Sequence, residues 1–176
     1  MNTDLYTKRL HLRKMNITDS SGLFKIWSDP DVTSFMNIDN FTDESQVQDM
    51  INLFNKLSQE NRATRFTIME QESNEIIGSC GYNSLDFENV KAEVGYDIGK
   101  GFWGKGYAPE ALSALIEYAF ETLNFNRIEA KVSPENFNSI KVLQKLNFTF
   151  EGTLRKSEKL KGEFIDINMY SKLKTD

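Results

Sequence analysis

The sequence predicts an α+β fold, equally describable as a three-layer α/β arrangement: a mixed, mostly antiparallel central sheet of about seven strands with helices on both faces. Three observations predict it. Apolar residues alternate in period two over short runs, these runs are interleaved with segments of helical period, and the connections mix short hairpin turns with helical crossovers. At 176 residues the chain suffices for one domain with a proper core and is too short for two ordinary ones, so residues 1–176 are read as one domain.

Arg9, Leu10, His11, Leu12 and Arg13 alternate as a half-buried strand, and Thr18, Asp19 and Ser20 then offer N-caps to a short helix carrying Leu23, Phe24, Ile26 and Trp27. Ser28, Asp29, Pro30 and Asp31 break that helix, and residues 32–41 read as a loop. After Thr42, Val47, Met50, Ile51, Phe54 and Leu57 recur at helical spacing. Residues 65–70 and 75–82 are strand-like and joined by Gln71, Glu72, Ser73 and Asn74, a hairpin. Ala92 to Ile98 alternates again and runs into a glycine-rich segment, 99–106. From Pro109, which suits a first helical turn, Ala111, Leu112, Leu115, Ile116, Ala119, Phe120 and Leu123 form one helix face. Ile128, Ala130 and Val132 make a further strand, Ile140, Leu143 and Leu146 line a short helix, and strands at 149–155 and 164–173 close the chain.

Composition narrows the function. Hydrophobic residues at 39%, charged residues at 27% and only three prolines are those of a folded soluble protein. A net charge of -5 argues against nucleic acid and other polyanions as partners and suits a cationic amine. Cys80 is the one cysteine, which excludes an intrachain disulfide and a cysteine-rich metal site and fits a reducing cytoplasm. Residues 1–6 lack the pattern of a signal peptide, and no apolar run reaches membrane-spanning length, so no membrane association is expected.

Phe102, Trp103, Gly104, Lys105, Gly106, Tyr107, Ala108 and Pro109 set two glycines between a strand and a helix start. Such a turn is either a tight loop or a phosphate cradle, because glycine lets backbone approach a ligand and the first helical N–H groups are free. Lys105 is followed by Gly106 where a nucleotide-triphosphate loop needs serine or threonine, and Pro109 stands where a dinucleotide fingerprint needs its third glycine, leaving a nucleotide-binding oxidoreductase a poor fit.

The run Tyr96, Asp97, Ile98, then Gly101 to Ala108, then Glu110, Ala111 and Leu112 resembles the acetyl-CoA loop of the GNAT superfamily of N-acetyltransferases, whose pattern is Arg/Gln-x-x-Gly-x-Gly/Ala. Gly101 replaces the Arg or Gln. A second block, Asn136, Phe137, Asn138, Ser139, then Lys145, Leu146, Asn147, Phe148, then Glu151 and Gly152, resembles the Asn-x-x-Ser, Lys-x-Gly-Phe and Glu-Gly series of the same family, with Asn147 in place of a glycine. The closing segment 161–170, the opening 9–13 and residues 27–35 resemble the branch that acetylates ribosomal-protein N-termini, the RimJ/RimL-like branch.

The resemblance implies an acyl-CoA N-acyltransferase fold and direct transfer of acetyl from acetyl-CoA to a primary amine in a ternary complex, with no metal. It implies a splay between the strand ending at Ile98 and the strand starting near Ile128, with Gly95 marking a bulge. Cofactor contacts are expected from Tyr96, Asp97, Ile98, Trp103, Gly104, Lys105, Gly106, Tyr107, Ala108, Asn136 and Ser139. Lys145 is a candidate to neutralise phosphate or adenine-side charge. Ser139, or a tyrosine such as Tyr96 or Tyr170, can protonate the leaving thiolate, although Asn136 and Ser139 also sit where helix caps fall. Glu93 is the first candidate for general base, before Asp31 and Asp97. The acceptor is a ribosomal-protein N-terminal α-amine or a small amine such as an amino acid, polyamine or antibiotic; a non-catalytic acetyl-CoA binder is the reading from another class. A homodimer is compatible with the sequence.

Overall fold

The computed structural model describes residues 3–176, so Met1 and Asn2 of the segment read for a leader lie outside the described residues. The N-terminal half runs β1 (Leu5–Tyr6), β2 (Leu10–Lys14), α1 (Ser20–Trp27), α2 (Pro30–Thr33), α3 (Glu44–Gln59), β3 (Thr64–Glu70), β4 (Ile76–Asp86) and β5 (Lys91–Ile98). The C-terminal half runs α4 (Tyr107–Glu117), β6 (Arg127–Val132), α5 (Phe137–Lys145), β7 (Thr149–Leu160) and β8 (Glu163–Leu173). All strands join one sheet in the order β1-β2-β3-β4-β5-β6-β8-β7. Every pairing is antiparallel except β5 with β6, which are joined by a crossover through α4 as parallel neighbours must be.

The predicted sheet of about seven strands has eight among the described residues. The additional strand, β1, is two residues long, with Leu5 opposite Leu12 and Tyr6 opposite His11, too short to show a period in sequence. β7 also extends beyond the predicted 149–155, because it lies at the sheet edge with most side chains in solvent and no apolar alternation announces it. A two-residue turn, Lys161 at φ 51° and Gly162 at φ 87°, closes its hairpin with β8, the left-handed pair that matches strand twist.

Two apolar clusters form on opposite faces. On one, Leu10, Leu12, Phe66, Ile68, Val94 and Ile128 pack against Ala111, Leu112 and Leu115 of α4 and Leu143 of α5. On the other, Met15, Leu23, Ile26 and Trp27 pack with Val47 and Ile51 of α3. The glycine expected after α5 is Asn147, and its φ of 61° is the left-handed conformation that asparagine tolerates; its N–H bonds the Gln144 carbonyl and ends the helix.

The N-terminus of the first helical segment differs from the sequence expectation. Asn16, not Thr18 or Ser20, supplies the capping side chain, to a 3₁₀ turn preceding α1. Asp19 is instead buried, bonded by Arg13 Nη1 at 2.8 Å, the Asn16 N–H at 2.9 Å and Thr67 Oγ1 at 2.8 Å. Pro30 ends α1 but also opens α2, because Asp29 caps the Asp31 N–H.

Burial alone would raise the Asp19 carboxyl, but the Arg13, Asn16 and Thr67 bonds outweigh it and hold the group below the ordinary carboxylate range. A carboxyl depressed in the folded state contributes stability above its unfolded pKa and loses it as pH falls through the folded one. Asp19→Asn is therefore expected to cost about 3 kcal/mol at neutral pH, the lower end for breaking a buried pair, since a quarter of the Arg13 side chain is exposed. Urea unfolding at descending pH should bring wild type and variant together; a constant gap would remove the ionised pair as the cause.

Candidate active site

β5 and β6 pair only at Lys91 with Arg127, Ala92 with Ile128 and Glu93 with Glu129, although β5 continues to Ile98 and β6 to Val132. Beyond Glu93 the two strands part, and a cavity of about 970 Å³ occupies the gap. Because successive side chains alternate across a strand, the cavity is lined from both sides of the sheet. Val94, Tyr96, Ala130, Leu112 and Ser139 come from the α4–α5 face; Arg65, Asn83, Glu93 and Lys131 come from the other, with Met36, Met50 and Phe54 beyond them.

The predicted bulge exists, but on the neighbouring strand. Tyr82 pairs with Val94 and Ser84 with Glu93, so Asn83 of β4 is the extra residue and not Gly95. The Asn83 amide lies where a Gly95 side chain would stand: a Cβ there would be 2.5 Å from its Nδ2. Close approach of these two strands explains the glycine, and the parting of β5 from β6 sets the gap.

The glycine loop enters α4 through Gly104 at φ 74° and Gly106 at φ 80°, both left-handed, and no side chain caps the helix N-terminus. A Cβ on Gly104 would meet no protein atom within 4 Å, so the loop is open on its ligand-facing side. Its outer side is braced: Arg9 Nη1 donates to the Lys105 carbonyl at 2.9 Å, while Arg9 Nε donates to Glu110 at 2.8 Å in the first turn of α4. This brace is invisible in sequence, where Arg9 and Glu110 are a strand residue and a helix residue 101 positions apart.

Of the residues singled out in sequence, Glu93, Tyr96, Ile98, Trp103, Gly104, Gly106, Tyr107, Ala108, Asn136 and Ser139 line the cavity. Tyr96 Oη and Ser139 Oγ are 3.0 Å apart, and either hydroxyl can donate. Burial raises the Tyr96 hydroxyl above the ordinary tyrosine range, opposed by the Ser139 contact, so it is protonated at neutral pH. Asn136 is the cap of α5 and accepts the Ser139 N–H at 3.3 Å; the Ser139 hydroxyl has no part in the cap and is free for Tyr96.

Lys145, Lys105 and Tyr170 do not line the cavity, while Asp97 and Asp31 border it with their carboxylates already paired. The Asp97 carboxylate, 2% exposed, is bonded by Trp27 Nε1 at 3.1 Å, Arg65 Nη2 at 2.9 Å and the Ser79 hydroxyl, so it is committed to a buried network although the residue borders the cavity. Lys145 ends α5, two residues past Leu143, the last residue of that helix to line the cavity, and is not itself a lining residue. Lys105 turns outward, with Nζ 5.8 Å from the Phe102 ring centroid. Tyr170 packs against Phe150 and is not a lining residue. Asp31, at the rim, pairs with Lys100 Nζ at 2.5 Å. Sequence reading missed Arg65, Asn83, Lys131 and Glu158, which adjacent strands bring together without any local motif. No group of three or more His, Cys, Asp or Glu able to hold a metal occurs among the described residues. Nor is any described helix long and apolar enough to cross a membrane.

A sheet opened between two parallel strands, beside an uncapped helix that starts from a left-handed glycine turn, is the architecture of an acyl-coenzyme A-dependent transferase. Residues 9–149 match the acetyltransferase (GNAT) domain family, and the chain belongs to that family. It is an acetyl-CoA-dependent N-acetyltransferase. It is 55% identical to the uncharacterized N-acetyltransferase p20 of Bacillus licheniformis, over 98% of this chain and 97% of that one. It is 30% identical to the ribosomal-protein-serine acetyltransferase of Escherichia coli, over 66% of this chain and 64% of that one. Among solved structures, the microcin C7 self-immunity acetyltransferase MccE, in complex with acetyl-CoA and AMP, superposes with a TM-score of 0.87 at 26% identity, over 95% of this chain and 93% of that one.

Proposed function

We propose that this chain, as a single domain over residues 1–176, acetylates the α-amino group of a protein N-terminus. The observation that carries the reading is the passage of one cavity through the sheet, with Tyr96 and Ser139 on one face and Glu93 on the other. The ribosomal-protein-serine acetyltransferase among its relatives supports a peptide terminus as acceptor. The donor is acetyl-CoA, which supplies an activated acyl carbonyl. The free N–H groups of the 104–108 turn and the α4 N-terminus suit its diphosphate, and Asn136 with the first turn of α5 suits its pantetheine arm.

On the far face, Glu93 takes a proton from the acceptor ammonium, directly or through water, so that a neutral amine enters the gap. The Tyr96–Ser139 pair, protonated and hydrogen-bonded, delivers a proton to the departing sulfur. The hydroxyls sit opposite the base, so the two proton transfers do not compete. The cytoplasm, where a lone buried thiol such as Cys80 stays reduced, is the compartment this reading assigns.

The test is thiol release from acetyl-CoA with peptides beginning in serine or alanine, set against lysine, spermidine and an aminoglycoside. Turnover with peptides and little with the free amines is expected; the reverse would replace the protein terminus with a small-molecule acceptor, and no turnover with any of them would leave a binder. Tyr96→Phe and Ser139→Ala should each lower kcat by about 10- to 100-fold, at or below the lower end for a positioned acid because one hydroxyl partly replaces the other. Calorimetric affinity for acetyl-CoA should change little, and a parallel loss in both would make the pair a binding element.

A further inference from the structure

The cavity wall carries a primary amine of the protein itself. Lys131 lies two residues past Glu129, the last β6 residue paired with β5, and so faces the gap on the same side of the sheet as Glu93. Its Nζ stands 3.5 Å from Glu93 Oε2 and 3.6 Å from Glu158 Oε1, with a third of the side chain exposed. Lys131 thus occupies, next to the proposed base, the kind of position an acceptor ammonium takes before transfer.

We propose that Lys131 is a self-acetylation site, modified within the cleft when no external acceptor is bound. The inference rests on the proposed placement of acetyl-CoA and of Glu93 as base. In the step, Glu93 takes one proton from the Lys131 ammonium, Nζ forms a bond to the acetyl carbonyl carbon, and the thioester C–S bond breaks with its electron pair on sulfur. The second nitrogen-bound proton is lost as the amide forms, and the sulfur is protonated from the Tyr96–Ser139 side. The products are Nε-acetyllysine and free coenzyme A, with one proton released to solvent. No oxidant or further reactant enters.

Burial by itself would lower the Lys131 ammonium, but Glu93 and Glu158 more than reverse this and raise it, so the modification is slow beside turnover with a bound acceptor. Once acetylated, Lys131 no longer neutralises Glu93 and Glu158, and the acceptor side of the cleft gains one net negative charge. A cationic acceptor then meets two uncompensated carboxylates.

The experiment is peptide-resolved mass spectrometry of the full chain incubated with acetyl-CoA alone, at several protein concentrations, with calorimetric titration of acetyl-CoA on the same preparation. Lys131 is expected to be acetylated at least about tenfold faster than the exposed Lys25 and Lys56, at a rate independent of protein concentration, as an intramolecular reaction requires. Glu93→Gln should slow it, and Lys131→Arg, which keeps the charge, should remove only this modification. Binding of acetyl-CoA with Lys131 modified no faster than Lys25 would overturn the proposal and leave the proposed function standing. Absence of acetyl-CoA binding would overturn both.

Discussion

Gly104→Val is expected to weaken acetyl-CoA binding by at least about tenfold, equivalent to ~1.4 kcal/mol or more, in a protein that still folds. Gly104 has φ 74°, where a β-branched residue is strained by about 1–2 kcal/mol. Nothing in the protein lies within 4 Å of its would-be Cβ, so the new side chain adds no core clash. Strain and bulk therefore fall on the loop: either valine projects into the space left for the ligand, or the loop relaxes and the N–H groups before α4 lose their aim. Calorimetric titration with acetyl-CoA and a thermal melt measure the two parts separately. A folded variant with unchanged affinity would mean that the diphosphate is held elsewhere; an unfolded one would make the loop a structural turn.

Asp97→Ala is expected to be the most destabilising single change named here, by about 3–5 kcal/mol and a Tm loss of about 6–20 °C. Arg65 is only 11% exposed, and its guanidinium would be left beside Ser79 and Asn83 without an anion. The Trp27 indole N–H, which ties α1 to β5 through Asp97, would also lose its acceptor. Asp97→Asn, which keeps an oxygen for Trp27, should cost less and leave acetyl-CoA affinity near that of the wild type. A melting temperature for Asp97→Ala within a couple of degrees of wild type, with affinity lost instead, would return the carboxylate to the ligand site.

The contrast between Gly104 and Asp97 shows what kind of feature is legible in the chain. The glycine turn, the helix start after it and the Asn136 cap are local: backbone geometry at each depends on a few neighbouring residues, so residue type and spacing report it directly. Asp97 stands inside the same motif block, yet its partners Trp27, Arg65 and Ser79 lie 70, 32 and 18 positions away. No reading of its neighbours assigns its side chain to a buried network instead of a ligand. Lys145 shows a related limit: spacing puts it on α5, but only the docked helix shows that the lining residues of its last turn are Val142 and Leu143. The bulge moved from Gly95 to Asn83 because a register shift belongs to a pair of strands, and either member can hold the extra residue.

By itself the sequence determined the α+β class, the order of the longer elements, the glycine loop into α4 and the Asn136–Ser139 turn, since these follow from hydrophobic period and local backbone preference. The tertiary structure decided the rest. It fixes Glu93 as the point after which β5 and β6 part, a splay the family resemblance implies, and it alone sets Tyr96 against Ser139 across 43 positions, braces the loop with Arg9 and brings Lys131 to Glu93. Contacts between distant segments depend on how the strands register and the helices dock, information spread over the whole fold and absent from any single stretch of chain.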